Sequence, residues 1–259
     1  MKFLVLREAL LTSLQMITGV VEKRQTMPIL ANILLEASDN KLVMTGTNME
    51  VELVAELSEI KTAVSGRITV PARKFFDIFK SLPEGASITA ELKDARFTVK
   101  FGKSHFSLST LPADHFPNVE DQQDSHKLSL AQKDLKRLIE STAFAMAQQD
   151  VRYYLNGMLL ELNKEGIRTV TTDGHRLAMA DFNVTTGVEE TRQIIVPRKS
   201  ILELARILND TEELCILTFG KNHVRANVSH YTFTSKLIDG KFPDYQRVVP
   251  RGGSKTMVA

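Results

Sequence analysis

The stretch Val70-Pro71-Ala72-Arg73-Lys74-Phe75-Phe76-Asp77-Ile78-Phe79-Lys80-Ser81-Leu82 decides how this chain reads. Its pattern returns 126 residues later as Val196-Pro197-Arg198-Lys199-Ser200-Ile201-Leu202-Glu203-Leu204-Ala205-Arg206-Ile207-Leu208. Val-Pro opens both, Asp77-Ile78 answers Glu203-Leu204, Lys80 answers Arg206 and Leu82 answers Leu208. Proline in the first turn of a helix forfeits no hydrogen bond, because its missing N–H has no partner there. Behind it Phe75, Phe76, Phe79 and Leu82 recur at helical spacing, so the two stretches predict helices over 71–82 and 197–209.

Outward from this pair the repeat continues. Ser109 and Leu111 match Ser235 and Leu237, Phe116-Pro117 matches Phe242-Pro243, and upstream Thr45 matches Thr171, all at the same offset. Nearer the start the offset is 125, pairing Ile33-Leu34-Leu35-Glu36 with Met158-Leu159-Leu160-Glu161 and Leu10 with Leu135. Self-similarity at a fixed period means duplicated modules, and the polar run from Glu120 to Lys127 is where one gives way to the next. The expected division is 1–125, 126–250, and a further copy beginning in 251–259. Each copy reads as helix, three strands, helix, three strands: in the first, helices over 7–18 and 71–82 with strands over 31–37, 41–46, 50–57, 86–92, 95–101 and 104–110. The second supplies its first helix at 130–146. With the strand that precedes each helix, a copy holds eight strands and two helices. That is an α+β module, two helices packed on one face of antiparallel sheets, and repetition of such modules builds rings or arcs.

The chain has 33 basic and 31 acidic residues, a net charge of +2 that by itself does not mark a nucleic-acid binder. Apolar residues at 43% and charged ones at 25% describe a packed fold and exclude a disordered or disulfide-stapled chain. The longest apolar run, 29–35, is far short of the ~20 residues of a bilayer span. The N-terminus turns charged at Arg7 and Glu8 with no signal-peptide core, so a cytoplasmic location without membrane contact is expected. Cys215, the one cysteine, reads as core filler in a reducing compartment. The charges that matter are local. Arg73, Lys74 and Lys80 face Asp77 alone, Lys133, Lys136 and Arg137 face Asp134 and Glu140, and Arg198, Lys199 and Arg206 face Glu203. Lys23 and Arg24, then Gln148, Gln149, Arg152, Tyr153 and Tyr154, follow the first and third helices. Such side chains are phosphate donors when they line a nucleic acid and solvated helix faces otherwise; their recurrence at equivalent helices favours the first.

No phosphate-cradling glycine loop, nucleophile elbow or zinc motif is present, and the six histidines lack ligand spacing; no catalytic residue, metal or cofactor is expected. The one cluster that resembles a reactive site is Thr171-Thr172-Asp173-Gly174-His175-Arg176. A hydrolase reading would use Asp173, His175 and Arg176; Asp-Gly is equally a hairpin turn. The counterpart, Thr45-Gly46-Thr47-Asn48-Met49-Glu50, carries none of the three, which favours a binding surface used in the second copy alone. A peptide-binding module with no DNA role is the other alternative.

Over its whole length the chain resembles the bacterial DNA polymerase III beta subunit family, the replication sliding clamps. The stretches that carry the likeness are Val70 to Phe76, Phe106 to Pro112, Gln149 to Gly157, Thr172 to Leu177 and Phe242-Pro243-Asp244-Tyr245. The resemblance implies repeated clamp domains with helices lining a ring and sheets outside it. It also implies a processivity factor that encircles duplex DNA without reading its sequence, and no enzymatic activity. It maps DNA-facing residues onto Arg24, Arg73, Gln149, Tyr153, Tyr154, Arg198 and Lys199, to which helix placement adds Lys80 and Arg137. It maps a groove for short peptide motifs onto Leu155, Thr172, Gly174, His175, Arg176, Leu177, Pro243, Arg247 and Val248. The implied partners are the replicative polymerase alpha subunit, the clamp-loader delta subunit, and translesion polymerases and repair proteins. Lys74, Lys103, Phe106 and Leu108 would form the subunit edge of a head-to-tail homodimer when a third domain is present; the family has three repeats.

Overall fold

The computed structural model describes residues 1–21, 27–58, 60–117 and 126–250. The cut expected near 125 and the stretch 251–259 lie outside them. The first module runs β1 (Lys2–Leu6), α1 (Arg7–Val20), a 3-10 turn (Pro28–Ala31), β2 (Asn32–Ser38), β3 (Lys41–Thr47), β4 (Val51–Leu57), β5 (Lys61–Val64), β6 (Gly66–Pro71), α2 (Ala72–Ser81), β7 (Ser87–Lys93), β8 (Arg96–Phe101) and β9 (Ser104–Ser109). The second runs β10 (His126–Ala131), α3 (Gln132–Thr142), 3-10 turns at Ala143–Ala145 and Tyr153–Leu155, β11 (Gly157–Leu162), β12 (Gly166–Thr172), β13 (Leu177–Asn183), β14 (Arg192–Pro197), α4 (Arg198–Ile207), β15 (Leu214–Phe219), β16 (His223–Val228), β17 (Tyr231–Lys236) and a 3-10 turn at Tyr245–Arg247. The α+β reading therefore holds, with one addition: the first module gains a short strand, β5, which pairs with β1. In the second module the corresponding loop covers β10 instead, through a hydrogen bond between His126 Nε2 and the Thr186 carbonyl at 2.7 Å.

The strands form three antiparallel sheets, ordered β5-β1-β7-β8-β9, β10-β15-β16-β17-β4-β3-β2-β6 and β13-β12-β11-β14. The eight-stranded sheet belongs to both modules, which join where β17 pairs with β4 and Phe233 lies opposite Leu53. Ser13 on α1 lies 3.3 Å from the Tyr231 hydroxyl, and Ser235 bonds Ser200 on α4 at 2.7 Å. Tyr231 and Ser235, four apart on a strand, share a face, so helices of both modules lie on the same side of the common sheet.

Two of the expected alignments are corrected by the strand registers. Leu34 pairs with Thr45 where Leu159 pairs with Val170, so Thr45 occupies the place of Val170, not Thr171. Ser109 and Leu111 likewise stand in the places of Lys236 and Ile238, since Arg96 pairs with Ser109 where His223 pairs with Lys236 and Leu111 bonds Thr69 where Ile238 bonds Ile195. The offset grows by one residue after β4 and again after α2. Loops absorb insertions because no ladder runs through them.

Phe75 and Phe79 on α2 meet edge to face at 4.9 Å and Phe97 closes on Phe75 at 5.8 Å. This packing belongs to one continuous core running through both modules. Cys215 is buried in it, and burial pushes its thiol up to about 12, so it packs as an inert apolar group. The helix expected to reach 146 ends at Thr142. The Thr171 hydroxyl donates to the Thr142 carbonyl and Arg198 Nη1 donates to the Ala143 and Met146 carbonyls at 3.4 and 3.2 Å, so the carbonyls that would continue the helix are already satisfied.

Candidate functional site

The turn between β12 and β13 is built by its own side chains. Asp173 Oδ1 accepts from the backbone N–H groups of His175 and Arg176 at 2.9 and 3.0 Å, and Thr172 Oγ1 accepts from Gly174 N at 3.0 Å. Asn48 and Thr47 make the same bonds in the first module, to Glu50, Val51 and Met49. What differs is the attached chemistry. Arg176 donates to Asp173 at 3.0 Å and to the Phe144 carbonyl at 2.8 Å, with its guanidinium 5.6 Å from the centre of the exposed Phe144 ring. Arg152 donates to Asp150 at 3.0 and 2.8 Å and to the Asp173 carbonyl at 3.2 Å. The two arginines thus cross between the 144–152 loop and the turn, each anchored on one and bonded to the other. Backbone N–H donors hold the Asp173 carboxyl down at about 2, and the Arg152 guanidinium does the same for Asp150. Asp173 makes no bond to the His175 ring, so the alignment of base and orienting carboxylate that a hydrolytic site needs is missing.

The turn has two rims. On one, His175 and Arg176 line a cleft with Phe144, Met146, Ala147, Gln148, Gln149 and Asp150, so an expected DNA-facing residue and two expected groove residues share it. On the other, Leu177 and Tyr154 pack against a satellite core of Leu159, Val170, Ile195, Phe242 and Tyr245. This core forms an apolar floor, and the segment carrying Pro243, Arg247 and Val248 is seated on it with all three exposed. Leu155 is buried. Thr172 is committed to closing the turn, its hydroxyl donating to the Arg176 carbonyl at 2.6 Å.

The sequence reading missed the polar group beneath that segment. Glu161, 4% exposed, accepts from the Tyr245 hydroxyl at 2.9 Å, and Arg168 donates to the same hydroxyl at 3.1 Å and to Asp181 at 2.5 Å. Gln193 completes the set by donating to Glu161 at 2.5 Å. These residues sit on the four strands of one sheet and beyond β17, and no local motif announces them.

Of the DNA-facing candidates, Arg24 lies outside the described residues. Arg73 and Lys80 are exposed on α2, with Lys80 6.0 Å from the Phe76 ring centre. Arg137 is exposed on α3 beside Lys133, Lys136, Glu140, Ser141 and Asp210. Gln149 and Tyr153 are exposed and Tyr154 half-buried. Arg198, half-buried, donates through Nη1 to the two carbonyls beyond α3; Lys199 is half-buried in the first turn of α4. Neither α2 nor α4 has an acidic residue in its first turn, whereas α1 has Glu8 and α3 has Asp134. Cations at a helix N-terminus oppose the helix dipole, and both modules accept that cost at the same helix.

Strand β9 is paired on one side only, to β8. Lys74 and Lys103 are exposed and Phe106 half-buried. Phe106 holds on β9 the place that Phe233 holds on β17. Leu108, on the same strand, is 5% exposed and packs its side chain in the core.

Among the described residues no helix is long and apolar enough to cross a membrane, and no cluster of three metal-ligating side chains occurs. The family model for the DNA polymerase III beta subunit N-terminal domain matches residues 1–120, and that for its central domain matches 129–244. The beta sliding clamp of Pseudomonas putida is 54% identical over 258 residues, covering 100% of this chain and 70% of that protein. A crystal structure of the DNA polymerase III subunit beta from Pseudomonas aeruginosa superposes with a TM-score of 0.95 at 52% identity, covering 98% of this chain and 69% of the other. A sliding clamp of the same species bound to griselimycin does so with a TM-score of 0.95 at 53% identity and the same coverage. Two modules joined through a common sheet and relatives of this closeness agree: the chain belongs to the DNA polymerase III beta subunit family, the replication sliding clamps, which are accessory subunits and not enzymes.

Proposed function

We propose that modules 1–125 and 126–250 form part of a ring that surrounds duplex DNA with its helices inward, and that the second module captures the polymerase and other clamp-binding proteins. The observation that carries this reading is the common sheet with helices of both modules on one face, and with basic pairs at the N-termini of α2 (Arg73, Lys74) and α4 (Arg198, Lys199). A helix N-terminus favours phosphate, and a backbone-only contact needs no base readout. Arg73, Lys80, Arg137, Gln149, Tyr153, Tyr154, Arg198 and Lys199, with Arg24, are assigned to DNA. The satellite core beside Leu177, walled by Pro243, Arg247 and Val248, is assigned to short peptide motifs with leucine or aromatic anchors, carried by the polymerase alpha subunit, the clamp-loader delta subunit, translesion polymerases and repair proteins. Griselimycin is bound by the Pseudomonas aeruginosa relative, and we propose the groove of this chain as its site, which makes it the probe of that assignment. The edge strand β9, with Lys74, Lys103 and Phe106, is assigned to subunit contact.

The test is duplex association measured across a salt series. Arg73→Ala is expected to weaken binding and flatten the log–log salt slope by about 0.9; an unchanged slope and affinity overturn the DNA assignment of α2.

A further inference from the structure

We infer that Tyr245, Glu161 and Arg168 are the positioning residues of the peptide groove, holding the wall that carries Pro243, Arg247 and Val248; the inference rests on the groove assigned above. The wall has little else to fix it. Beyond β17 the chain is held by two backbone bonds, Leu237 N–H to the Asn222 carbonyl and Ile238 N–H to the Ile195 carbonyl, both at 2.9 Å, and after Ile238 by the buried rings of Phe242 and Tyr245. The amides of Arg247, Val248 and Val249 donate to the carbonyls of Asp244, Tyr245 and Tyr245 at 3.3, 3.1 and 3.3 Å, so the final turn hangs from Tyr245. The one ion pair among these residues, Arg247 with Asp244 at 2.8 Å, is exposed and internal to the segment. It does not tie the wall to the sheet.

Tyr245 does. Its hydroxyl donates to Glu161 and accepts from Arg168, both of its bonds running to β11 and β12. Hydrogen bonds to charged partners are the stronger kind and fix direction as well as distance. The repeat supplies an internal control. Glu161 and Arg168 are cross-strand partners, and the same position in the first module is filled by Glu36 opposite Val43. That module folds with the same strands and no such network, so the sheet does not require it. It occurs where the groove is.

The experiment compares the full chain with Tyr245→Phe, which keeps the ring and removes both bonds, with Glu161→Gln, and with the double variant. Amide hydrogen exchange is expected to show Arg247, Val248 and Val249 losing protection about tenfold in Tyr245→Phe while β11 and β12 keep theirs. Griselimycin affinity is expected to fall about five- to tenfold, with the double variant no worse than the sum of its parts predicts and better than it if the two residues act through one bond. Unchanged exchange at 247–249 overturns the inference, whether or not griselimycin binds. Wild-type chain that fails to bind griselimycin overturns the groove reading instead, and the exchange result still decides what holds the segment. Loss of protection throughout β11 and β12 in Glu161→Gln, with Tyr245→Phe silent, would make the network part of the sheet and overturn the positioning role.

Discussion

Asp173 shows how a single residue can be read twice. As half of Asp-Gly it is a turn former, and as a carboxylate beside histidine and arginine it suggests chemistry; the structure gives its oxygens to backbone N–H groups and Arg176. Asn48 closes the equivalent turn with an amide oxygen. Asp173→Asn is therefore expected to melt close to the wild type at neutral pH and Asp173→Ala distinctly lower, as thermal denaturation would record. The folded carboxyl titrates at about 2 against 3.8 for the free group. Its contribution is thus complete above about pH 4 and lost as pH falls towards 2, so the gap between wild type and Asp173→Ala should narrow over that window. Gly174 has φ +88°, and a Cβ there would lie 3.0 Å from Arg152 Nη1 and Nη2. Gly174→Ala is expected to cost about 1–2 kcal/mol in a denaturant titration and to loosen the Arg152 crossing.

At the scale of the element, the repeated helices were legible because Val-Pro followed by an apolar stripe is a local signal. The registers were not, since a one-residue insertion in a loop shifts every later match without altering local periodicity. Gly46 illustrates the cost. Aligned by strand pairing it stands in the place of Thr171, and Ile17 in the place of Thr142. In the second module Thr171 bonds the Thr142 carbonyl; in the first the helix comes so close that a Cβ on Gly46 would lie 2.5 Å from Ile17 Cγ2. Gly46→Ala is expected to push α1 off β3 and cost about 1–3 kcal/mol in stability. The groove's supporting network was equally hidden. Glu161, Arg168, Asp181, Gln193 and Tyr245 become neighbours only once β11, β12, β13 and β14 are aligned, whereas Asp173-Gly174-His175-Arg176 could be seen because its members are contiguous.

For the whole molecule, the continuous core and the shared sheet predict that the two modules unfold together. Calorimetry should give one cooperative transition in place of two. Phe233, fully buried at the joint, is the residue to test: Phe233→Ala is expected to lower stability by about 3–5 kcal/mol and to split that transition.

The joint has a polarity of its own. It pairs β4 of one module with β17 of the next, and the strands that hold those places in the other module of each pair, β13 and β9, each lie at the edge of a sheet with a single partner among the described residues. The unit therefore resembles a tile with a tongue on one side and a slot on the other. Tiles of that kind cannot meet face to face. On the ring and groove proposed above, each unit added through such a pairing would repeat the same turn in the same sense and would leave the Asp173 turns of every unit on one face of the assembly.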